Sequence, residues 1–170
     1  MQLYLLLQLF LIVILALNLN LEVGDCLKQN QLKKIQNNSM SEIRLGILGG
    51  GQLGSMLSVA AKKLNIKTLI YSDDQDAPAQ NFCDEFMFGD YKDKNKINDF
   101  VKKVSIVTYE FENIPYETLN EINKFKTVNP KPSINRLIQH RLAEKDFVNK
   151  LNIRTTRYVS IEKKSDLETL

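Results

Sequence analysis

From residue 43 onward the chain alternates short apolar runs with longer amphipathic ones, and a glycine-rich turn marks the first changeover. The run IRLGIL at 43–48 is bounded by polar residues and glycines and is too short for a stable helix, which predicts a buried strand. Residues 52–64 place Leu53, Met56, Leu57, Ala60, Ala61 and Leu64 at helical spacing, with Lys62 and Lys63 near the end, where cations suit the helix dipole. The alternation then continues. Strands are predicted at 66–71, 85–88 and 104–109, helices at 94–102 and 115–123, a polar loop over 72–80 and a last short strand at Val128. Strand and helix in turn at this spacing specify an α/β fold with a doubly wound parallel sheet and helices on both faces.

Pro130 and Pro132 punctuate that pattern. Ser133 suits an N-cap, and Ile134, Leu137, Ile138, Leu142, Phe147, Val148 and Leu151 predict one long amphipathic helix after it. A strand at 158–161 and a helix starting at Ser165 are expected next. Residues 131–170 therefore read as the start of a second domain whose remainder lies beyond Leu170. Residues 40–130 form the first domain.

Residues 1–39 differ from both. The stretch LYLLLQLFLIVILALNL at 3–19 approaches the roughly 20 apolar residues that span a bilayer. It lacks the positive flank and small-residue cleavage site of a signal peptide. It can be read as a membrane anchor. Residues 20–39 are rich in Asn, Gln and Lys without a clear period, and Met40-Ser41-Glu42 stands directly before the first strand. The preferred expectation is that Met40 is the true start, the leader being a gene-model extension and the protein cytoplasmic.

Composition narrows the chemistry. Apolar residues make up 44% and charged residues 25%, enough for a packed core. The net charge is only +3 and the lysines are scattered, so a solvated surface is expected rather than a nucleic-acid partner. Cys26 and Cys83 lack metal or redox spacing and read as unpaired thiols. His140 is the one histidine, which leaves neither a His-based metal site nor a Ser-His-Asp triad a case.

Gly49-Gly50-Gly51-Gln52-Leu53-Gly54 matches GxGxxG between strand and helix. Glycines permit a tight turn and close approach of the backbone, and the helix start behind them offers free N–H groups and partial positive charge. Three readings stay open on the motif alone. One is a Rossmann-type dinucleotide site with Asp73 or Asp74 on the ribose, hence an NAD(P)-dependent oxidoreductase. Another is a different phosphate-bearing ligand. The third is close helix–sheet packing without a ligand. A membrane-tethered, non-enzymatic binding module is a further possibility if the leader is real.

Neighbouring words discriminate among these. ILGGGQLGSML at 47–57, DAPAQNFCDE at 76–85, VTYEFENIP at 107–115 and NPKPSINRLIQHRLAEKDFVNKLNI at 129–153 occur in one order. Together they resemble the opening of the N5-carboxyaminoimidazole ribonucleotide synthases, ATP-grasp ligases of purine biosynthesis. The resemblance covers nearly all of residues 43–160. It implies a Rossmann-like pre-ATP-grasp domain followed by the start of an ATP-grasp domain. It also implies carboxylation of 5-aminoimidazole ribonucleotide with bicarbonate and ATP, with Mg2+ on the nucleotide phosphates, by a homodimer when full length.

Carried over position by position, the resemblance places Gly51, Gln52 and Leu53 at the ribonucleotide, their amides near its phosphate. Glu110 faces the substrate, and Glu112 is a weaker candidate on the same side of an extended chain. Arg141 matches the family's first ATP contact, whereas Lys145 is read as a helix-surface residue. Ser55 stands where the family often has a long side chain, so no side-chain grip on phosphate is expected there. No catalytic or metal-binding residue is assigned. The family's ATP-clamping lysine, flap and metal-binding acids come later than residue 170, so the chain alone is expected not to turn over.

Overall fold

The computed structural model describes residues 43–163. The expected leader, and the helix expected from Ser165, lie outside them. Four parallel strands form one sheet: β1 (Arg44–Leu48), β2 (Lys67–Ser72), β3 (Glu85–Phe88) and β4 (Ile106–Tyr109). Their order is β3-β2-β1-β4. Leu48 stands opposite Tyr71 on one side and Tyr109 on the other. Val128 adds a single parallel bridge to Val107, which is all that forms of the expected last strand.

The chain winds outward from β1 through β2 to β3, then returns to lay β4 on the free side of β1. The winding direction reverses between β1 and β4, and in such sheets the crevice beyond the strand ends at that point is where ligands bind. Helix α1 (Gln52–Lys63) links β1 to β2, and α2 (Lys94–Lys103) links β3 to β4. Because side chains alternate across a strand, Leu48, Leu69, Tyr71, Val107 and Tyr109 share one face. They form the main core with Ile97, Phe100 and Val101 of α2 and with Leu119 and Ile122 of α3 (Tyr116–Ile122). Ile47 and Ile70 point the other way and are fully buried, as the side of the sheet covered by α1 requires. Phe100 meets Tyr71 edge-on at 5.6 Å, a geometry aromatic rings favour.

Charge ties the opposite end of the sheet together. Arg44 Nη1 lies 2.6 Å from Glu85 Oε2, and Lys103 at the end of α2 pairs with Glu85 Oε1. The bond from Lys103, with Arg44 behind it, holds the Glu85 carboxyl below its ordinary value of 4.5. The folded state then binds that proton less tightly than the unfolded chain. The stability involved is complete above about pH 4.5 and lost as pH falls through the lowered folded value. Glu85→Gln is expected to cost about 0.5–1 kcal/mol at pH 7, since the pair is partly solvated, and to flatten the acid limb of the stability curve. Urea unfolding at pH 7 and pH 3 checks this; an undiminished acid loss in the variant contradicts it.

The region after Pro130 departs from expectation. Instead of one long helix there are two, α4 (Pro132–Ile138) and α5 (Arg141–Lys150). His140 leaves helical geometry (φ −109°, ψ 101°), and its Nδ1 accepts from Ala143 N at 3.3 Å, capping α5. The apolar spacing runs straight through this break and so conceals it. Lys131 rather than Ser133 is the N-cap of α4, with Pro132 in its first turn.

No strand forms at 158–161. Lys145 Nζ reaches Thr156 Oγ1 at 3.1 Å, Asn149 Nδ2 donates to Thr155 Oγ1 at 3.0 Å, and the Tyr158 hydroxyl donates to Asp146 at 2.5 Å. Side chains hold this segment against α5, and no neighbouring strand offers it a ladder among the described residues.

Candidate functional site

The site begins with a conflict at the start of α1. The first amides of any helix have no intrahelical acceptor. Gly51 is the N-cap here and has no side chain to supply one. The acceptor comes from another strand. Glu110, the residue after β4, accepts from Gly51 N at 2.5 Å through Oε1 and from Gly54 N at 2.7 Å through Oε2. Its own N–H donates to Leu48 O at 3.0 Å, so the β1–β4 register fixes where the carboxylate stands. Glu110 is only 6% exposed. Bonds from amides to a carboxylate are about twice as strong as neutral ones, and the helix dipole adds to them.

The turn is shaped around that carboxylate. Gly49 has φ +105°, and a Cβ there would overlap the Glu110 Cγ. Ser55 Oγ donates to Gly51 O at 3.1 Å, which steadies the turn from inside the helix. The serine that departs from the expected long side chain thus has a local role. Ala79 N donates to Gly50 O at 3.0 Å from a short 3-10 turn, Pro78–Asn81, inside the expected polar loop.

The structure therefore places Glu110 on the same rim as the glycine turn, but gives it the Gly51 amide, one of the three expected near a phosphate, together with that of Gly54. The amides of Gln52 and Leu53, the first two of α1, have no acceptor among the described residues. The Gln52 side chain is exposed and that of Leu53 half-buried.

Beside this clamp is a cleft of about 190 Å³, lined by Gly50, Gly51, Ser72, Asp73, Asp74, Ala77, Tyr91, Glu110 and Phe111. Asp73 and Asp74 were candidates; Ser72, Tyr91 and Phe111 were not. Three carboxylates and no cation line it, so hydrogen-bond donors or positive charge suit it better than phosphate. Burial, with Asp73 next, pushes the Tyr91 phenol above its ordinary value, and it stays protonated. Tyr71 beneath is pushed up to about 12 by burial first and then by Asp93, and its hydroxyl donates to Asp90 O at 2.8 Å.

Glu112 does not join the cleft. The extended chain assumed for it ends at Tyr109; residues 110–114 bend and turn, and Glu112 is exposed. Arg141 is not at the cleft either. It opens α5 with an exposed guanidinium, whose Nη1 is 2.6 Å from Glu144 Oε2 one turn on. No group of three His, Cys, Asp or Glu side chains converges to hold a metal ion among the described residues. Cys83 is a free thiol; Cys26 lies outside the described residues.

The sequence family described as the ribonucleotide synthetase preATP-grasp domain matches residues 40–139. The chain belongs to that family. Its match takes in the glycine turn, Glu110 and all of α4. A bifunctional purine synthesis protein purC/E of Dictyostelium discoideum is 38% identical over 125 residues, covering 74% of this chain and 12% of the relative. An N5-carboxyaminoimidazole ribonucleotide synthase of Staphylococcus epidermidis is 32% identical over 123 residues, 72% of this chain and 33% of the relative. This chain thus spans about a third of such a synthase.

Solved structures agree. The Staphylococcus aureus N5-carboxyaminoimidazole synthetase complexed with ADP superposes with TM-score 0.69 at 28% identity, over 75% of this chain and 34% of that one. The Aspergillus clavatus enzyme in complex with ADP and 5-aminoimidazole ribonucleotide gives 0.65 at 26%, over 75% and 35%. These relatives support neither the nicotinamide oxidoreductase nor the tethered module. No helix among the described residues is long and apolar enough to cross a membrane.

Proposed function

We propose that this preATP-grasp chain provides the ribonucleotide-binding part of an ATP-dependent ligase that carboxylates 5-aminoimidazole ribonucleotide with bicarbonate in purine biosynthesis. One observation carries the reading: at the switch point of the sheet, two unsatisfied helix amides stand beside an acidic cleft. An aminoimidazole ribonucleotide has matching ends. Its phosphate suits the Gln52 and Leu53 amides. Its ribose hydroxyls and exocyclic amine are donors that suit Glu110 and Asp73. Glu110 spends one lone pair per oxygen on the turn, and a carboxylate has about four acceptor sites, so it can bind substrate while clamping the loop. Phe111 and Tyr91 give the cleft an aromatic lining suited to the imidazole.

ATP would supply the phosphoryl group that activates bicarbonate. Arg141 is suited to a nucleotide phosphate by its exposure and its forked donors. The described residues offer no carboxylate cluster for magnesium, so its ligands are not assigned to them. Residues 40–130 serve as the substrate domain and 131–170 as the start of the nucleotide domain. The assembly is taken to be a cytoplasmic homodimer, as the resemblance implies.

Calorimetric titration of the purified chain tests the reading. Aminoimidazole ribonucleotide is expected to bind with a Kd between about 10 μM and 1 mM, and NAD not at all. Binding of NAD without binding of the ribonucleotide overturns it.

A further inference from the structure

We propose that Asn135 and Gln139 are positioning residues which, from α4, hold the turn after β4 and so set Glu110 against the glycine loop. Residues 110–115 form no regular structure, so their carbonyl oxygens need donor partners from elsewhere in the fold. Two side chains one helical turn apart supply them. Asn135 Nδ2 donates to Ile114 O at 2.9 Å. Gln139 Nε2 donates to Glu112 O at 2.6 Å and to Ile114 O at 2.9 Å. Spacing of i and i+4 puts both amides on one face of α4, and that face meets the turn. The anchored carbonyls lie two and four residues beyond Glu110.

Stability alone does not account for Asn135. It is fully buried, and its Oδ1 has no partner among the described residues. Such an orphaned acceptor is destabilising, whereas Leu, of similar size, leaves none. What Asn supplies and Leu cannot is the bond to Ile114 O. Local rules broken without a stability gain are characteristic of functional sites. The pair also joins two regions of the chain. Gln139 stands two residues before Arg141, and the turn it holds leads back through Glu110 to Gly51 and Gly54. A shift of α4 therefore reaches the glycine loop through five hydrogen bonds.

The test is amide hydrogen exchange in the full chain, followed by NMR, for Gln139→Glu, Gln139→Ala and Asn135→Leu. Each variant is expected to speed exchange at Gly51 and Gly54 by about tenfold, with β1 and α2 amides unchanged. Asn135→Leu should do so while keeping the thermal midpoint of the parent or raising it, which a merely structural residue would not. Unchanged exchange at Gly51 and Gly54, or acceleration spread evenly over the sheet, overturns the proposal. A second readout rests on the ribonucleotide reading: the variants should weaken aminoimidazole ribonucleotide several-fold. If the parent binds no ribonucleotide while the exchange pattern holds, the ligand reading fails and the positioning role stands.

Discussion

Glu110→Ala is expected to lower the free energy of unfolding by about 4 kcal/mol, the largest effect of any single change at the rim. Two bonds to a charged acceptor are lost, each worth about 1.5–3 kcal/mol. The amides of Gly51 and Gly54 are left beside a void that no local side chain can fill, because the N-cap is glycine. Water entering from the cleft recovers part of the loss, which keeps the estimate below the sum. Glu110→Gln should be only partly better. Its carbonyl oxygen can serve one amide, but its NH2 then faces the other, donor against donor. Urea unfolding reads the change as a lower midpoint at unchanged slope. A Glu110→Ala variant within about 1 kcal/mol of the parent would mean that the clamp contributes little.

Gly49→Ala should cost about 3 kcal/mol by a different route. At φ +105° an L side chain costs about 1–2 kcal/mol. Its Cβ would also overlap the Glu110 side chain, 2.9 Å from Oε1, and overpacking of this kind costs about 1–3 kcal/mol. The two parts can be separated. In a Glu110→Ala background the overlap disappears and only the backbone cost remains, so Gly49→Ala should then cost about half as much. That non-additivity is the signature of direct contact. Additive losses would show that Gly49 is needed for its conformation alone.

The parallel sheet and its winding were legible because each strand and helix announces itself locally. IRLGIL and the helix after it carry opposite periodicities, and strand boundaries fell within two residues of those observed. The break at Gln139-His140 was not legible. Histidine is a rare cap, and the apolar spacing on either side of it stays in phase. The segment at 158–161 has strand-like residues, but a strand requires a neighbour, and pairing is not a local property.

The candidate site divides along the same line. Gly51, Gln52, Leu53 and Glu110 could be named as candidates from the sequence because motif and rim position coincide. The acceptor for the Gly51 and Gly54 amides was not foreseen, because it depends on β4 lying beside β1, 59 residues away in sequence. Once that register is known, Glu110 must fall next to Gly49. Glu112 stands apart from the cleft because the chain bends directly after β4. Tyr91 and Phe111 carry no local signal and enter the cleft only through tertiary packing.

The ribonucleotide titration, followed residue by residue in amide NMR spectra, tests the central claim most directly. Shifts centred on Gly50–Gly54, Tyr91 and Glu110–Phe111, and lost in Glu110→Ala, are the predicted result. Saturable binding whose shifts fall elsewhere, or no binding at millimolar ribonucleotide, would contradict it.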